Sequence, residues 1–428
     1  MRVTYQPNYK EKRLIMAYTR RLAWIALLFG ILSLVSPTVT TSAGCPGDRS
    51  HLIPRFGGHW FLLGANVPWL NGGFGADFGT VEEWNQHTYD ANATRSMFRA
   101  LRQQGANTVR WWLFADGRGA PEFNANSGGA VTGLDANFLP SLASAIQIAS
   151  EENVYLVFTL WSFDMLFADS TPYDRGEHAG GHRDLIVDSA KRASFINNAL
   201  LPMLRYPVGT SGYTIGTHPN VLAWDIFNEP EFGISESPHF SPASEVTQPV
   251  TLAQMQRFIA EISGAIHRNS NQLTTVGSAS MKWNSARALG ASGNFWSDAQ
   301  LTVYDPQGYL DFYQIHYYDW MNGDEQYWSY SPLFNDWYEA GFDKPVVIGE
   351  VPSNAGGTNR TPTQLLAELH ANCYAGVWVW PYFNVNDGTG QWSDAQAAVR
   401  SLASTIPAEL QIAPVSLPAR VYIPLAIR

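Results

Sequence analysis

The 428-residue sequence predicts a (β/α)8 barrel carrying a single catalytic domain. Three observations point there. Eight apolar, strand-like runs alternate with helical stretches between residues 59 and 405, as a parallel barrel requires. Two of those runs, Val221–Asn228 and Pro345–Gly349, lead straight into a glutamate with proline close behind (Glu229-Pro230 and Glu350-Val351-Pro352). Proline cannot continue a ladder, so each carboxylate stands at a strand's C-terminal end, where an α/β barrel keeps its chemistry. No glycine-rich phosphate turn follows the first strand, which argues against a doubly wound sheet.

The elements run in order. The first strand is His59–Asn66, followed by a Gly- and Asn-rich loop to Gly79. A helix spans Asp90–Gln104, with Met97, Phe98 and Leu101 on one face and Gly105 ending it. Strands at Ala106–Phe114 and Val154–Leu160 flank a long loop and a helix over Phe138–Glu151. A loop over 162–185 precedes a helix over Ala190–Tyr206, and the fourth strand is the Val221 run. After the loop Glu231–Val250 come a helix over Leu252–Arg268 and strands at Gln272–Gly277 and Tyr309–Tyr317. The spacing then predicts a helix over Trp328–Ala340, the seventh strand, a helix over Thr363–Asn372, the eighth strand at Gly376–Trp380, and a last helix over Asp394–Ser404.

The ends read differently. Arg13, Arg20 and Arg21 precede the apolar run Leu22–Val35, then Pro37 and small polar residues, the order of a secretory signal, so residues 1–43 are expected to be removed on export, the alternative being an uncleaved anchor. Residues 44–58 form a leader, 59–408 the barrel domain, and 409–428 an extended tail with alternating Val421, Ile423, Leu425 and Ile427. Loss of the signal takes six basic residues and one acid and moves the net charge from −10 to about −15. So acidic a protein is a poor partner for nucleic acid and suits a neutral ligand. The 16 tryptophans suit a cleft in which flat apolar faces meet sugar rings. In an exported chain Cys45 and Cys373 are candidates for one disulfide, the alternatives being two unrelated thiols or lipid attachment at Cys45.

Cleaving a glycosidic bond needs a proton donor for the leaving oxygen and a second carboxylate near the anomeric carbon. Glu229 on strand four and Glu350 on strand seven fall on opposite sides of one barrel mouth. A single glutamate at a strand end is usually an ion-pair partner, and it is the pairing that changes this reading. His182, His239 and His316 are too scattered for a metal set, and no cofactor or metal is expected.

The Asn-Glu-Pro end of strand four and the Gly-Glu end of strand seven resemble the retaining β-glycosidases of clan A, most closely glycoside hydrolase family 5, the cellulase and mannanase family, across residues 59–405. The resemblance implies that Glu229 is the acid/base, Glu350 the nucleophile, and Asn228 a holder of the substrate 2-hydroxyl. It further implies that Arg110 keeps the nucleophile ionised, that His316 orients the acid/base, that Tyr318 bonds the nucleophile, and that Trp380 floors the sugar site. Many members carry a histidine at the end of strand three; here Leu160-Trp161-Ser162-Phe163-Asp164 stands instead, a departure shared with the mannanase branch. Trp69, Trp161, Trp283 and Trp320 follow strand ends and are candidate sugar platforms. Of Trp111 and Trp112 at most one faces the site. Asp225 reads as a structural partner under the mouth. The expectation is a secreted, monomeric retaining β-glycosidase acting on β-mannan or β-glucan, with exo action, transglycosylation and a non-catalytic sugar-binding barrel left open.

Overall fold

The computed structural model describes residues 45–70, 77–81, 86–124, 129–168, 180–288, 290–318 and 330–412. The expected signal segment, Trp320 and the tail from residue 413 onward lie outside the described residues.

Eight parallel strands close a barrel: β1 Leu62–Val67, β2 Thr108–Ala115, β3 Tyr155–Ser162, β4 Val221–Asn228, β5 Leu273–Ser278, β6 Tyr313–His316, β7 Val346–Pro352 and β8 Gly376–Trp380. Each pairs with its successor and β8 pairs with β1. Helices α1 Ala91–Gln103, α2 Phe138–Glu151, α3 (residues 189–205), α4 Leu252–Asn269, α5 Pro362–Ala371 and α6 Trp392–Thr405 lie within a residue or two of their expected positions, α3 with one wider turn at Ile196–Leu200. Local chemistry explains their starts. Asp90 accepts bonds from the Asn92 and Ala93 amides, and Thr251 with Gln254 and Thr361 with Gln364 form reciprocal caps.

One expected helix differs. Residues 330–341, the described part of the predicted Trp328–Ala340 helix, form successive turns. Pro332 lacks an amide donor, and side chains compete for the backbone: Asn335 donates to the Ser331 carbonyl and Asp336 accepts from the Glu339 amide. Strand β6 is also shorter than expected, because the Tyr309 carbonyl accepts the Ser263 and Thr274 hydroxyls rather than a ladder partner.

Two apolar layers result. Strand residues such as Val109, Phe158 and Ile226 face the helices, while Leu62, Tyr155, Val157, Ala223, Val347 and Trp378 fill the barrel. Ile53 from the leader and Ile412 just past the last helical turn close the floor, where the Tyr155 hydroxyl donates to the Ile412 carbonyl. Cys45 and Cys373 form a disulfide with Cα atoms 5.3 Å apart, tying the leader to the floor just before β8. The bridge joins positions 328 residues apart, and chain entropy puts its largest contribution at about 6 kcal/mol. The double variant C45S/C373S is expected to lose several degrees of Tm while keeping kcat/KM, because the bridge lies at the end of the barrel opposite the mouth. Thermal melts beside a kinetic assay check this.

Candidate active site

Strand register assembles the mouth. It sets Asn66 of β1 beside Arg110 of β2, and His316 of β6 beside Glu350 of β7. Arg110, wholly buried, is the hub. Its Nε and Nη2 donate to Asp225 Oδ2 at 2.9 and 2.7 Å, its Nη1 to Glu350 Oε1 at 2.7 Å and Asn66 Oδ1 at 2.9 Å, and its Nη2 to Asn228 Oδ1 at 2.8 Å. Asp225 is thus the structural partner expected, and it also accepts from the Thr159 hydroxyl and the Gly277 amide. Gly277 has to be small: a Cβ there would lie 2.9 Å from Arg110 Nη2 and 3.1 Å from His316 Nε2.

The carboxylates meet around His316. Its Nδ1 lies 2.9 Å from Glu229 Oε1 and 3.6 Å from Glu350 Oε2, and the ligand-type atoms of the three side chains all fall within 4.8 Å of one another. Among the described residues this trio is the group close enough to share an ion, and the same distances are those of a hydrogen-bonded network. The Tyr318 hydroxyl donates to Glu350 Oε2. Glu229 adopts a left-handed backbone, φ 51°, unusual for a residue with a Cβ and costing roughly 1–3 kcal/mol. Its amide bond to the Gly277 carbonyl, 2.6 Å, and the following Pro230 turn hold it there.

Burial separates the roles of these groups. It pushes Glu229 up to about 7, with only Arg110 opposing. It pushes His316 down to about 4, so the imidazole is neutral, and lifts Tyr318 well above the usual phenol range, so that hydroxyl remains a donor. Burial raises Glu350 as well, with the Arg110 charge and the Tyr318 bond opposing. Glu350 alone of the pair takes both a guanidinium and a phenol bond, so it is the carboxyl that ionises first.

A cavity of about 510 Å3 opens over these groups. Trp69, Trp112 and Trp380 line it together with Asn228, Glu229, Tyr318 and Glu350, and Trp380 Nε1 donates to Asp387 Oδ2 at 2.8 Å. Trp112, not Trp111, is the tryptophan of β2 that reaches the mouth; Trp111 packs toward the helices.

Two platform candidates are corrected. Trp161 is fully buried among Phe114, Phe195 and His182 on the helix side of the barrel. Counting alternate residues from inward-facing Thr159 would aim it inward, but Leu160 and Trp161 both enter the outer core and Ser162 turns in instead. Trp283 stacks on Phe240 and donates to the His239 carbonyl, away from the cavity lining. Sequence reasoning missed Phe163, Asp164, Phe232, Asp387 and Thr389 as lining residues. Phe163, Asp164 and Phe232 sit on single 3-10 turns just past strands, and Asp387 and Thr389 on a loop, where no periodicity signals the path.

Replacing Arg110 by methionine leaves Asp225 and Glu350 buried without their cation. That change is expected to destabilise the fold by about 3–5 kcal/mol and to lower kcat/KM at least a hundredfold. Lysine, which cannot span the same acceptors, should recover little of either. Denaturant melts and initial rates of both variants measure this.

A parallel eight-stranded barrel whose mouth holds paired carboxylates, an arginine hub and a tryptophan floor defines the class: the protein is a glycoside hydrolase, resembling the clan A enzymes of family 5. The chain is 29% identical over 365 residues to mannan endo-1,4-beta-mannosidase of Mytilus edulis, spanning 81% of this chain and 89% of that one. Among solved structures it is similar to the β-mannanase of the same mussel (TM-score 0.67, 26% identity, 85% of this chain and 97% of the other). It is also similar to the endo-1,4-β-mannanase of Eisenia fetida (TM-score 0.66, 27% identity, 82% and 94%). No family model matches the sequence.

Proposed function

We propose that the protein is a secreted, monomeric endo-β-1,4-mannanase that works with retention of anomeric configuration. The observation that carries the mechanism is the Glu229–Glu350 pair, with carboxylate oxygens within 4.8 Å. That spacing belongs with the roughly 5 Å of retaining enzymes rather than the wider gap that admits a water. Glu350, ionised against Arg110, attacks the anomeric carbon, and the bond to the leaving oxygen breaks as Glu229 gives it a proton. Glu229 then takes a proton from water as that water displaces Glu350. Asn228, oriented by Arg110, is placed to bond a hydroxyl of the bound sugar, and Trp380 to stack beneath its ring.

The mannan-cleaving relatives support the substrate class, and the signal-like residues 1–43 support export. Among the described residues no helix is long and apolar enough to cross a membrane. We assign residues 59–408 to the catalytic domain, with 44–58 as leader and 409–428 as tail. The test is product analysis on β-mannan, β-glucan, xylan and arabinan. Internal cleavage of mannan to short oligosaccharides, with the β-anomer formed first by NMR, is the expected result. Release from glucan alone, or the α-anomer formed first, overturns the reading.

A further inference from the structure

The end of β3 carries a side-chain chain that the mechanism does not use. The Ser162 hydroxyl donates to Asp164 Oδ2 and receives the Asn228 amide at 3.4 Å. Ser162 is fully buried, whereas Asp164 is only partly so and lines the cavity. With Oδ2 occupied, no other residue among those described bonds Oδ1. On the same wall, Phe163 packs edge-on against Phe232, ring centroids 5.3 Å apart, and Phe232 follows Glu229 by one turn. The rest of the lining includes three tryptophans, Trp69, Trp112 and Trp380.

Function gives these walls different faces. Glu229 donates to the leaving oxygen, so the wall built around it is the one the departing sugar meets. That wall holds one apolar patch and one carboxylate acceptor, and a sugar offers both a C–H face and hydroxyl donors. Burial first, then the like charges of Asp116 and Glu229, pushes Asp164 up to about 7, so a bonded hydroxyl would replace water lost from a carboxyl already short of it.

Resting on the reading of Glu229 as acid/base, we propose that Asp164 is a specificity-determining residue that binds a hydroxyl of the sugar on the leaving-group side of the scissile bond, with Ser162 positioning it.

Two substrates separate this from a structural role: mannotetraose, whose leaving group is a sugar, and an aryl β-mannobioside, whose leaving group has no hydroxyl to offer. D164A is expected to lower the ratio of kcat/KM on mannotetraose to that on the aryl glycoside at least tenfold. D164N, which keeps one acceptor, should recover part of that loss, and S162A should show a smaller fall in the same direction. An unchanged ratio in both D164A and D164N overturns the proposal, as does a fall confined to the aryl substrate. Failure of the underlying reading looks different, since E229A would then lose as much rate on the aryl glycoside as on mannotetraose.

Discussion

Replacing Glu350 by glutamine is expected to lower kcat on β-mannan at least roughly ten-thousand-fold while leaving the barrel folded. The amide keeps the shape of the carboxyl, so Arg110 and Tyr318 retain a neighbour, but it has no charge with which to attack an anomeric carbon. Loss of Glu350's charge leaves Arg110 still paired with Asp225, which limits the structural damage. Reducing-end assays give the rate, and circular dichroism and thermal melts the fold. A 2-deoxy-2-fluoro mannoside with a good leaving group should label the unsubstituted enzyme at Glu350, read by peptide mass spectrometry, and leave the variant unlabelled. Labelling at another carboxylate, or a variant with more than a hundredth of the original rate, would remove Glu350 from the nucleophile's place.

Replacing Glu229 by alanine is expected to cut mannan hydrolysis roughly a thousandfold, the middle of the range for losing a general acid. Aryl substrates, whose leaving groups need little protonation, should lose far less in the first step. Azide, which needs no general base, should restore turnover and give a β-mannosyl azide. The pH profile carries a second signature. Glu229 must be protonated to act, and burial holds it at about 7, so kcat/KM should fall as pH rises through that value. The alanine variant should lack this alkaline limb.

The same shift acts on stability. The folded-state pKa of Glu229 lies above its ordinary 4.5, so the stability associated with its neutral form is fully present below pH 4.5 and is lost as pH rises through about 7. A shift of this size corresponds to at most ~3 kcal/mol. E229Q, which cannot ionise, is therefore expected to melt increasingly above the unsubstituted enzyme between pH 4.5 and 8. Equal Tm differences at both ends would show that Glu229 titrates normally.

Much of the barrel could be read along the chain because its cues are local. Asp90, Thr251 and Thr361 cap helices through their own neighbours, and an apolar run stopped at Asn228-Glu229-Pro230 marks a strand's end without any reference to the rest of the fold. Those cues also place Glu229 and His316 at strand ends and Glu350 near one, although β7 runs on through Pro352 and Arg110 sits three residues into β2, so most of the site was open to inspection from residue types and order alone. The turns over residues 330–341 show where local cues mislead: apolar spacing argued helix, while Pro332 and the Ser331, Asn335 and Asp336 side-chain bonds took the backbone elsewhere.

What sequence by itself determined, then, is which residues come to the mouth from regular strands. Tertiary structure decided which way the last residues of each strand face and what the loops bring in. Trp161 was a sugar platform by position and is core by packing, since a slip at the end of β3 sends Leu160 and Trp161 outward and brings Ser162 in. The pairing of Cys45 with Cys373, the single bond from Arg110 that joins β2 to Glu350 on β7, and the seat of Asp164 beside Glu229 all depend on groups far apart in the chain. The physical reason is the same in each case: a pleat or a helical period is written in neighbouring residues, whereas a contact across the barrel is set by closure of all eight strands.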